Sequence, residues 1–145
     1  MKEILIGADH GAYGLKEHVK EHLDRLALAY IDMGTYSTDS VDYSDIGHNL
    51  AEKISNHQYE RGILMCGTGI GMSMVANRYK GVRATLCHND FTAEMSRKHN
   101  DSNILVMGGR VIGNDYSLAD KIFDIWLNTP FEGGRHLRRI QKIDE

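Results

Sequence analysis

Short apolar runs alternate with longer amphipathic segments along the whole chain, and this alternation constrains the fold more than any other feature. Runs of four or five apolar residues, bounded by turn residues, are typical of buried parallel strands. The segments between them carry apolar residues at helical spacing. The pattern predicts a doubly wound, three-layer α/β/α fold with a five-stranded parallel sheet of Rossmann-like type and a C-terminal helix.

The predicted elements cover most of the chain. The predicted strands are residues 3–7, 29–33, 62–65, 83–87 and 103–107. The predicted helices are residues 14–26, 46–57, 71–79, 90–98, 116–128 and 135–142. A single sequence does not reveal the order of the strands within the sheet.

Composition narrows the classes of function. The 145 residues, 41% of them hydrophobic, predict a single domain over residues 1–145 with a substantial core. A net charge of −3 argues against a nucleic-acid partner. No apolar run approaches the roughly 20 residues that span a bilayer, so we expect no membrane partner. Two cysteines, and a start that runs into a strand rather than a signal peptide, favour a cytoplasmic protein.

A cysteine ends the third apolar run and is followed at once by Gly67-Thr68-Gly69-Ile70-Gly71. Ligands of such sheets bind at the carboxyl ends of strands, and backbone N–H groups of a glycine turn before a helix can converge on an anion. The helix N-terminus would favour the thiolate of Cys66. Two interpretations stay open from these residues alone: a catalytic thiol beside an oxyanion hole, or a buried cysteine before a tight turn.

Further reactive side chains follow other predicted elements. Asp9 and His10 come directly after the first strand, where they could orient hydroxyl groups or bind phosphate. The alternative is a helix-capping Asp beside an exposed histidine. His99 and Asn100 lie at the predicted end of the fourth helix, where the helix dipole favours an imidazolium that can donate a proton. A polar helix end without a function has the same sequence pattern.

The C-terminal helix has a basic face. Arg135 and Arg139 are four residues apart and share one side of that helix, which follows Gly133-Gly134. Two guanidinium groups on one face could clamp a phosphate, and Arg110, after the fifth strand, could contact the same anion. The alternatives are a solvated basic helix and an ordinary ion pair for Arg110.

The sequence predicts no metal site. Neither an H-E-x-x-H sequence nor a cysteine pair with zinc-site spacing occurs. The glycine turn also departs from the spacing of dinucleotide and nucleoside triphosphate loops.

Ordered motifs cover nearly the whole chain. They are Gly7-Ala8-Asp9-His10-Gly11, Asp32-Met33-Gly34-Thr35, Asp42-Tyr43, Cys66-Gly67-Thr68-Gly69-Ile70-Gly71, Ala76-Asn77, Gly81-Val82-Arg83-Ala84, Ser96-Arg97-Lys98-His99-Asn100-Asp101-Ser102-Asn103 and Glu132-Gly133-Gly134-Arg135-His136. No single motif is diagnostic, but the ordered set is specific. With it, the chain resembles the ribose/galactose isomerase family, and within that family the type B ribose-5-phosphate isomerases.

The resemblance implies interconversion of D-ribose 5-phosphate and D-ribulose 5-phosphate through an enediolate, with neither a metal nor an organic cofactor. It implies that Cys66 is the base that moves a proton between C2 and C1. It further implies that His99, assisted by Asp9, opens the furanose ring. The implied anion hole is formed by Gly67, Thr68, Gly69, Ile70 and Gly71, with Thr68 close to the reacting oxygens.

The same resemblance implies the remaining contacts and the assembly. Phosphate would be held by His10, Arg110, Arg135 and Arg139, and the sugar by Asn100. Active sites of the family form between two subunits, which implies a homodimer or a dimer of dimers. From the predicted sheet we also expect all candidate residues to lie along one edge.

Three functions remain in competition. The first is the five-carbon isomerase. Other members of the family have serine at the position of Cys66 and use as base a glutamate that stands at the position of Ile70, so this chain resembles the class whose base is a cysteine. The second is an isomerase of a six-carbon phosphate, such as allose 6-phosphate or galactose 6-phosphate. The third is a non-catalytic module that binds a phosphorylated sugar.

Overall fold

The computed structural model describes residues 2–145 and contains β1 (Ile4–Ala8), β2 (Tyr30–Asp32), β3 (Gly62–Cys66), β4 (Ala84–Leu86) and β5 (Ile104–Gly108). All neighbouring strands are parallel, in the order β2-β1-β3-β5-β4. β2 lies on one side of β1, whereas β3, β5 and β4 lie on its other side, so the direction in which strands are added reverses between β1 and β3. This reversal opens a crevice at the carboxyl ends of β1 and β3. The predicted fold class is confirmed.

Helices connect the strands and cover both faces of the sheet. They are α1 (Tyr13–Arg25), α2 (Tyr43–Ser55), α3 (Ile70–Ala76), α4 (Asp90–Lys98), α5 (Gly109–Ile112), α6 (Tyr116–Asn128) and α7 (Arg135–Ile143), with a 3₁₀ turn at His10–Ala12 before α1. In the described part of the chain, no helix is both long and apolar enough to cross a membrane.

Two buried clusters make the layers. One joins α1, α4 and α6 to the sheet, with Leu23, Phe123 and Trp126 at its centre. The other joins α2 and α3 to the opposite face, around Leu50 and Met72. The three central strands, β1, β3 and β5, are buried along their whole length, which explains why their sequences are continuous apolar runs rather than an alternating pattern.

Three helices depart from the prediction for local reasons. The second helix begins at Tyr43 rather than residue 46, because its first turn precedes the apolar positions that mark the pattern. The third ends at Ala76 rather than residue 79, because the next side chain, Asn77, pairs with the backbone of Ala84 at 2.8 and 2.9 Å. The four residues of α5 are too short to show helical periodicity.

The C-terminal helix α7 lies at the amino edge of the sheet. Just before it, the Glu132 N–H donates to the Lys98 carbonyl at 3.2 Å. At its end, Arg83 Nη1 donates to Asp144 Oδ2 at 3.0 Å, and Ile140 is buried. These contacts attach both ends of α7 to segments that precede β4 and β5.

A wholly buried lysine forms an ion pair at the end of β2. Lys16 Nζ lies 2.5 Å from Asp32 Oδ2, and Lys20 Nζ lies 2.8 Å from the same oxygen. Partial burial opposes ionisation of Asp32, but the hydrogen bonds from Lys16, Lys20 and the Gly34 N–H hold the pKa of its carboxyl below the usual range. The pair therefore contributes stability that depends on pH.

Asp32→Asn is expected to lower the free energy of unfolding by about 3 kcal/mol at pH 7, because the buried Lys16 loses its nearest counter-charge. The folded pKa of Asp32 lies below its unfolded value of about 3.9, so the contribution is present above that pH and lost as pH falls through the folded pKa. Urea unfolding at pH 7 and at about pH 3 measures the difference. Asp39→Asn, at an exposed carboxylate, is the control. An equal loss at both pH values would contradict the linkage.

Candidate active site

Three loops meet where β1, β3 and β5 end, and glycines let their backbones touch. The Asp9 N–H donates to the Met65 carbonyl at 3.1 Å, and the Arg110 N–H donates to the Gly67 carbonyl at 2.9 Å. A Cβ on Gly108 would lie 2.5 Å from the Thr68 carbonyl oxygen, a contact that only glycine avoids. The three loops therefore form one packed unit at the switch point of the sheet.

Cys66 is the last residue of β3 and lines an open cleft of about 420 Å³. The cleft is lined by Asp9, Tyr43, Cys66, Gly67, Thr68, Ile70, Gly71, Met74 and Arg110. Cys66 is 4% exposed and forms no disulfide. The cleft thus combines a thiol, a carboxylate, a hydroxyl and a guanidinium group.

The glycine turn leads from Cys66 into α3. Gly69 adopts a left-handed conformation with φ of 80°, and a Cβ there would lie 2.5 Å from Leu86 Cδ1. The Ile70 N–H donates to Thr68 Oγ1 at 3.2 Å, and no side chain caps the start of α3. Backbone N–H groups in a turn of this kind can stabilise a developing oxyanion, and this turn directly follows Cys66 at the end of β3.

Asp9 and His10 are fixed by backbone donors. Asp9 is buried and accepts a hydrogen bond from the Gly11 N–H at 3.0 Å, so it caps the 3₁₀ turn and lines the cleft at the same time. His10 Nδ1 accepts from the Val41 N–H at 3.1 Å. In a neutral His10 ring this acceptor leaves the proton on Nε2, which can donate to a ligand. His10 stands beside the cleft rather than lining it.

The expectation that all candidate residues lie along one edge is wrong. His99 and Asn100 follow α4 and precede β5, so they lie at the amino edge, with Arg135 and Arg139 on the neighbouring α7. The five residues of β5 alone span roughly 15 Å, at about 3.3 Å per residue. Within one chain these four residues are therefore separated from Cys66 by the length of the sheet.

His99 has its own surroundings at the amino edge. Its ring stacks on that of His136, with centroids 4.3 Å apart and planes inclined by 15°. Glu132 Oε1 lies 3.8 Å from His99 Nε2 and 3.9 Å from His136 Nε2. Burial, with the nearby charges of His99 and Arg135, lowers the pKa of His136. His136 is therefore a neutral aromatic neighbour for His99 near pH 7.

The ligand atoms of His99, Glu132 and His136 lie within 4.8 Å of one another, close enough to be considered for a metal ion. The lone pair of an imidazole nitrogen lies in the ring plane, and the two rings are nearly parallel. One ion cannot then lie in both planes at bonding distance. This arrangement favours stacking over ligation, and the absence of a metal site stays a prediction.

Sequence reasoning missed several groups. Tyr43 and Met74 line the cleft; only Tyr43 carried a signal, as part of the Asp-Tyr motif. An H-x-x-x-H spacing also exists on α1, at His18 and His22. The structure pairs these rings with Asp120 and Asp124 of α6 at 2.8 and 2.7 Å, which are hydrogen-bond distances rather than the spacing of metal ligands.

Known proteins resemble this chain over nearly its whole length. Residues 4–143 match the ribose/galactose isomerase family. Ribose-5-phosphate isomerase B of Escherichia coli is 41% identical over 143 residues, covering 99% of this chain and 95% of that protein. D-erythrulose-4-phosphate isomerase of Pectobacterium atrosepticum is 40% identical over 147 residues, covering 99% and 93%. A crystal structure of a ribose 5-phosphate isomerase from Thermotoga maritima superposes with a TM-score of 0.94 at 50% identity, covering 98% and 97%.

The chain therefore belongs to the ribose/galactose isomerase family. It is an isomerase of sugar phosphates.

Proposed function

We propose that the chain interconverts D-ribose 5-phosphate and D-ribulose 5-phosphate, with Cys66 as the base. The observation that carries this proposal is the position of Cys66 at the end of β3, in one cleft with Asp9, Thr68 and Arg110. A carbon acid next to a carbonyl needs a base, donors for the oxyanion and an anchor for the substrate. The cleft offers a group of each kind.

The proton transfer follows from these positions. Once the sugar ring is open, the Cys66 thiolate removes the proton from C2. The electron pair of the C2–H bond forms the C1=C2 double bond, and the π pair of the C1 carbonyl moves to O1. Backbone donors of residues 67–71 stabilise the resulting enediolate, and the Thr68 hydroxyl lies among them. The hydroxyl proton on O2 passes to O1 through Thr68. The protonated Cys66 then returns its proton to C1, which leaves a ketone at C2.

We propose further that two chains complete each site. Cys66 and His99 lie at opposite edges of one chain, so His99 can act at this cleft only from a second copy. Asn100 would come from the same second copy and contact the sugar. Arg135 and Arg139 would come with it and, together with His10 and Arg110, hold the phosphate. This arrangement favours a homodimer, alone or paired into a dimer of dimers.

Exposed apolar side chains around the cleft support such an interface. Ile70 is 56% exposed, and Met74 is 65% exposed on the next turn of α3. Tyr43 stands beside them with 41% of its surface exposed. Burying this group against a second chain would gain roughly 25 cal/mol for each Å² of apolar surface removed from water.

A reducing compartment suits this chemistry, and we place the enzyme in the cytoplasm. Cys66 and Cys87 are both unpaired in the structure. A thiol that serves as a base must stay reduced, which cytoplasmic conditions maintain.

The alternative substrates differ in length. One relative is named for a four-carbon phosphate, D-erythrulose 4-phosphate, and the six-carbon phosphates of allose and galactose are further candidates. The same proton transfer would serve each of them, so only the fit of the chain between base and phosphate clamp distinguishes the sugars.

Measuring kcat/KM for four-, five- and six-carbon aldose phosphates, with EDTA present throughout, tests the proposal. We expect ribose 5-phosphate to give the highest value, by about tenfold or more over a sugar that differs by one carbon. A higher value for a four- or six-carbon phosphate would assign the site to that sugar instead. Loss of activity in EDTA would contradict the metal-free mechanism.

A further inference from the structure

An exposed histidine at the end of a helix has two free side-chain torsions, so a proton donor in that place needs a neighbour that holds its ring. His99 is such a residue: it follows the last turn of α4, and its side chain is 42% exposed. Its close neighbours are the His136 ring, stacked at 4.3 Å, and the Glu132 carboxylate at 3.8 Å. Of these two, only the stacked ring fixes the orientation of the imidazole plane.

We propose that His136 is a positioning residue, whose ring orients His99 for opening of the furanose ring. This inference rests on the proposed function, in which His99 performs that step. His136 itself does not touch the reacting atoms in this proposal. It acts only through the ring on which it stacks.

His136 is held more firmly than the ring it supports. Its side chain is 12% exposed, against 42% for His99, and its N–H donates to the Gly133 carbonyl at 3.1 Å. It stands in the first turn of α7, whose far end is fixed by Ile140 and by the pair of Arg83 with Asp144. The anchoring of α7 is thus transmitted to His99 through the stack.

A neutral aromatic ring is the suitable partner at this position. A charged neighbour at 4.3 Å would oppose the gain of a proton by His99, whereas a neutral ring offers its face at little electrostatic cost. Glu132, near both rings, would attract the imidazolium once it forms. What His136 supplies is therefore an aromatic face, and phenylalanine can supply the same.

Two assays separate ring opening from proton transfer. Ribose 5-phosphate is mainly a furanose and must be opened, whereas ribulose 5-phosphate has no free C5 hydroxyl and stays open-chain. Isomerisation of ribose 5-phosphate therefore needs both steps. Exchange of the C1 protons of ribulose 5-phosphate with D₂O, followed by NMR, needs only the base.

For His136→Ala we expect isomerisation to fall by about 10- to 100-fold, from misplacement of the His99 ring, while C1 exchange stays within about twofold. His136→Phe should recover most of the isomerisation rate. His88→Ala removes an exposed histidine that belongs neither to the cleft nor to the stack, and should change neither rate. Circular dichroism and thermal unfolding establish that each variant is folded.

The outcomes separate the two proposals. Equal loss of both rates in folded His136→Ala, or no recovery in His136→Phe, would overturn the positioning role while leaving Cys66 chemistry in place. Unchanged isomerisation in His136→Ala would overturn it as well. If wild-type protein showed neither isomerisation nor exchange, the proposed function itself would fail, and the positioning role with it.

Discussion

Replacing Cys66 with alanine is expected to lower kcat for the isomerisation of ribose 5-phosphate by about a thousandfold or more, since a positioned base contributes about 10²- to 10⁴-fold. No other side chain lining the cleft in the described chain has a thiol, and the carboxylate of Asp9 is already engaged by the Gly11 N–H. KM should change little, because the thiol contacts a carbon-bound proton rather than the phosphate.

The other cysteine provides the matched control. Cys87 is also buried and unpaired, but it packs in the opposite layer, with α4 and α6, and burial raises the pKa of its thiol. Cys87→Ala should cost about 1 kcal/mol of stability, from the small cavity it leaves, with kcat within about twofold of wild type. Initial rates and urea unfolding on both variants give the comparison. Near-normal turnover by folded Cys66→Ala would contradict its role as the base.

Mixing two inactive variants is expected to restore activity. Cys66→Ala and His99→Asn should each be nearly inactive alone. If subunits exchange at random, half of the dimers are hybrids, and each hybrid carries one site with both substitutions and one intact site, which gives about a quarter of wild-type activity. The physical reason is that Cys66 and His99 stand at opposite edges of the same sheet, so they meet only across an interface.

Co-refolding the two variants from urea at equal amounts, followed by an initial-rate assay, measures this recovery. The control is co-refolding of Cys66→Ala with Cys66→Ser, in which no hybrid has an intact site. Recovery with the first pair and none with the control supports a site shared by two chains. No recovery from hybrids verified by mass spectrometry would show that each chain contains its whole site.

The sheet was predictable because its signals are local. Continuous apolar runs mark strands buried on both faces, and the observed strands lie within about two residues of the predicted ones. The grouping of Cys66, Thr68 and Asp9 in one cleft was also predictable, because residues at the end of a parallel strand or just after it lie at the carboxyl edge of the sheet.

The positions of the remaining site residues could not be predicted, because they depend on which edge of the sheet each helix ends at. His99 follows a helix rather than a strand, and a helix antiparallel to its strands carries its last residue back to the amino edge. The same reversal places Arg135 away from Cys66. The stack of His99 on His136 joins residues that are 37 positions apart and belong to different elements of the same chain, and no local pattern indicates such a contact. Tyr43 was missed as a cleft residue because its helix begins before the apolar periodicity does.

The glycine contacts between the three loops have a consequence for how new sugar preferences can arise. A Cβ at Gly108 would lie 2.5 Å from the Thr68 carbonyl oxygen, and a Cβ at Gly69 would lie 2.5 Å from the partly buried Leu86 side chain, so substitutions at these two positions would displace the loop that follows Cys66. Substitutions that adapt the cleft to a longer or shorter substrate are therefore expected at its periphery, at Tyr43 and Met74, and at residues that the second copy contributes. Changes in sugar preference within this fold are therefore expected at the rim of the cleft and on the surface that faces the second copy, rather than at these two glycines.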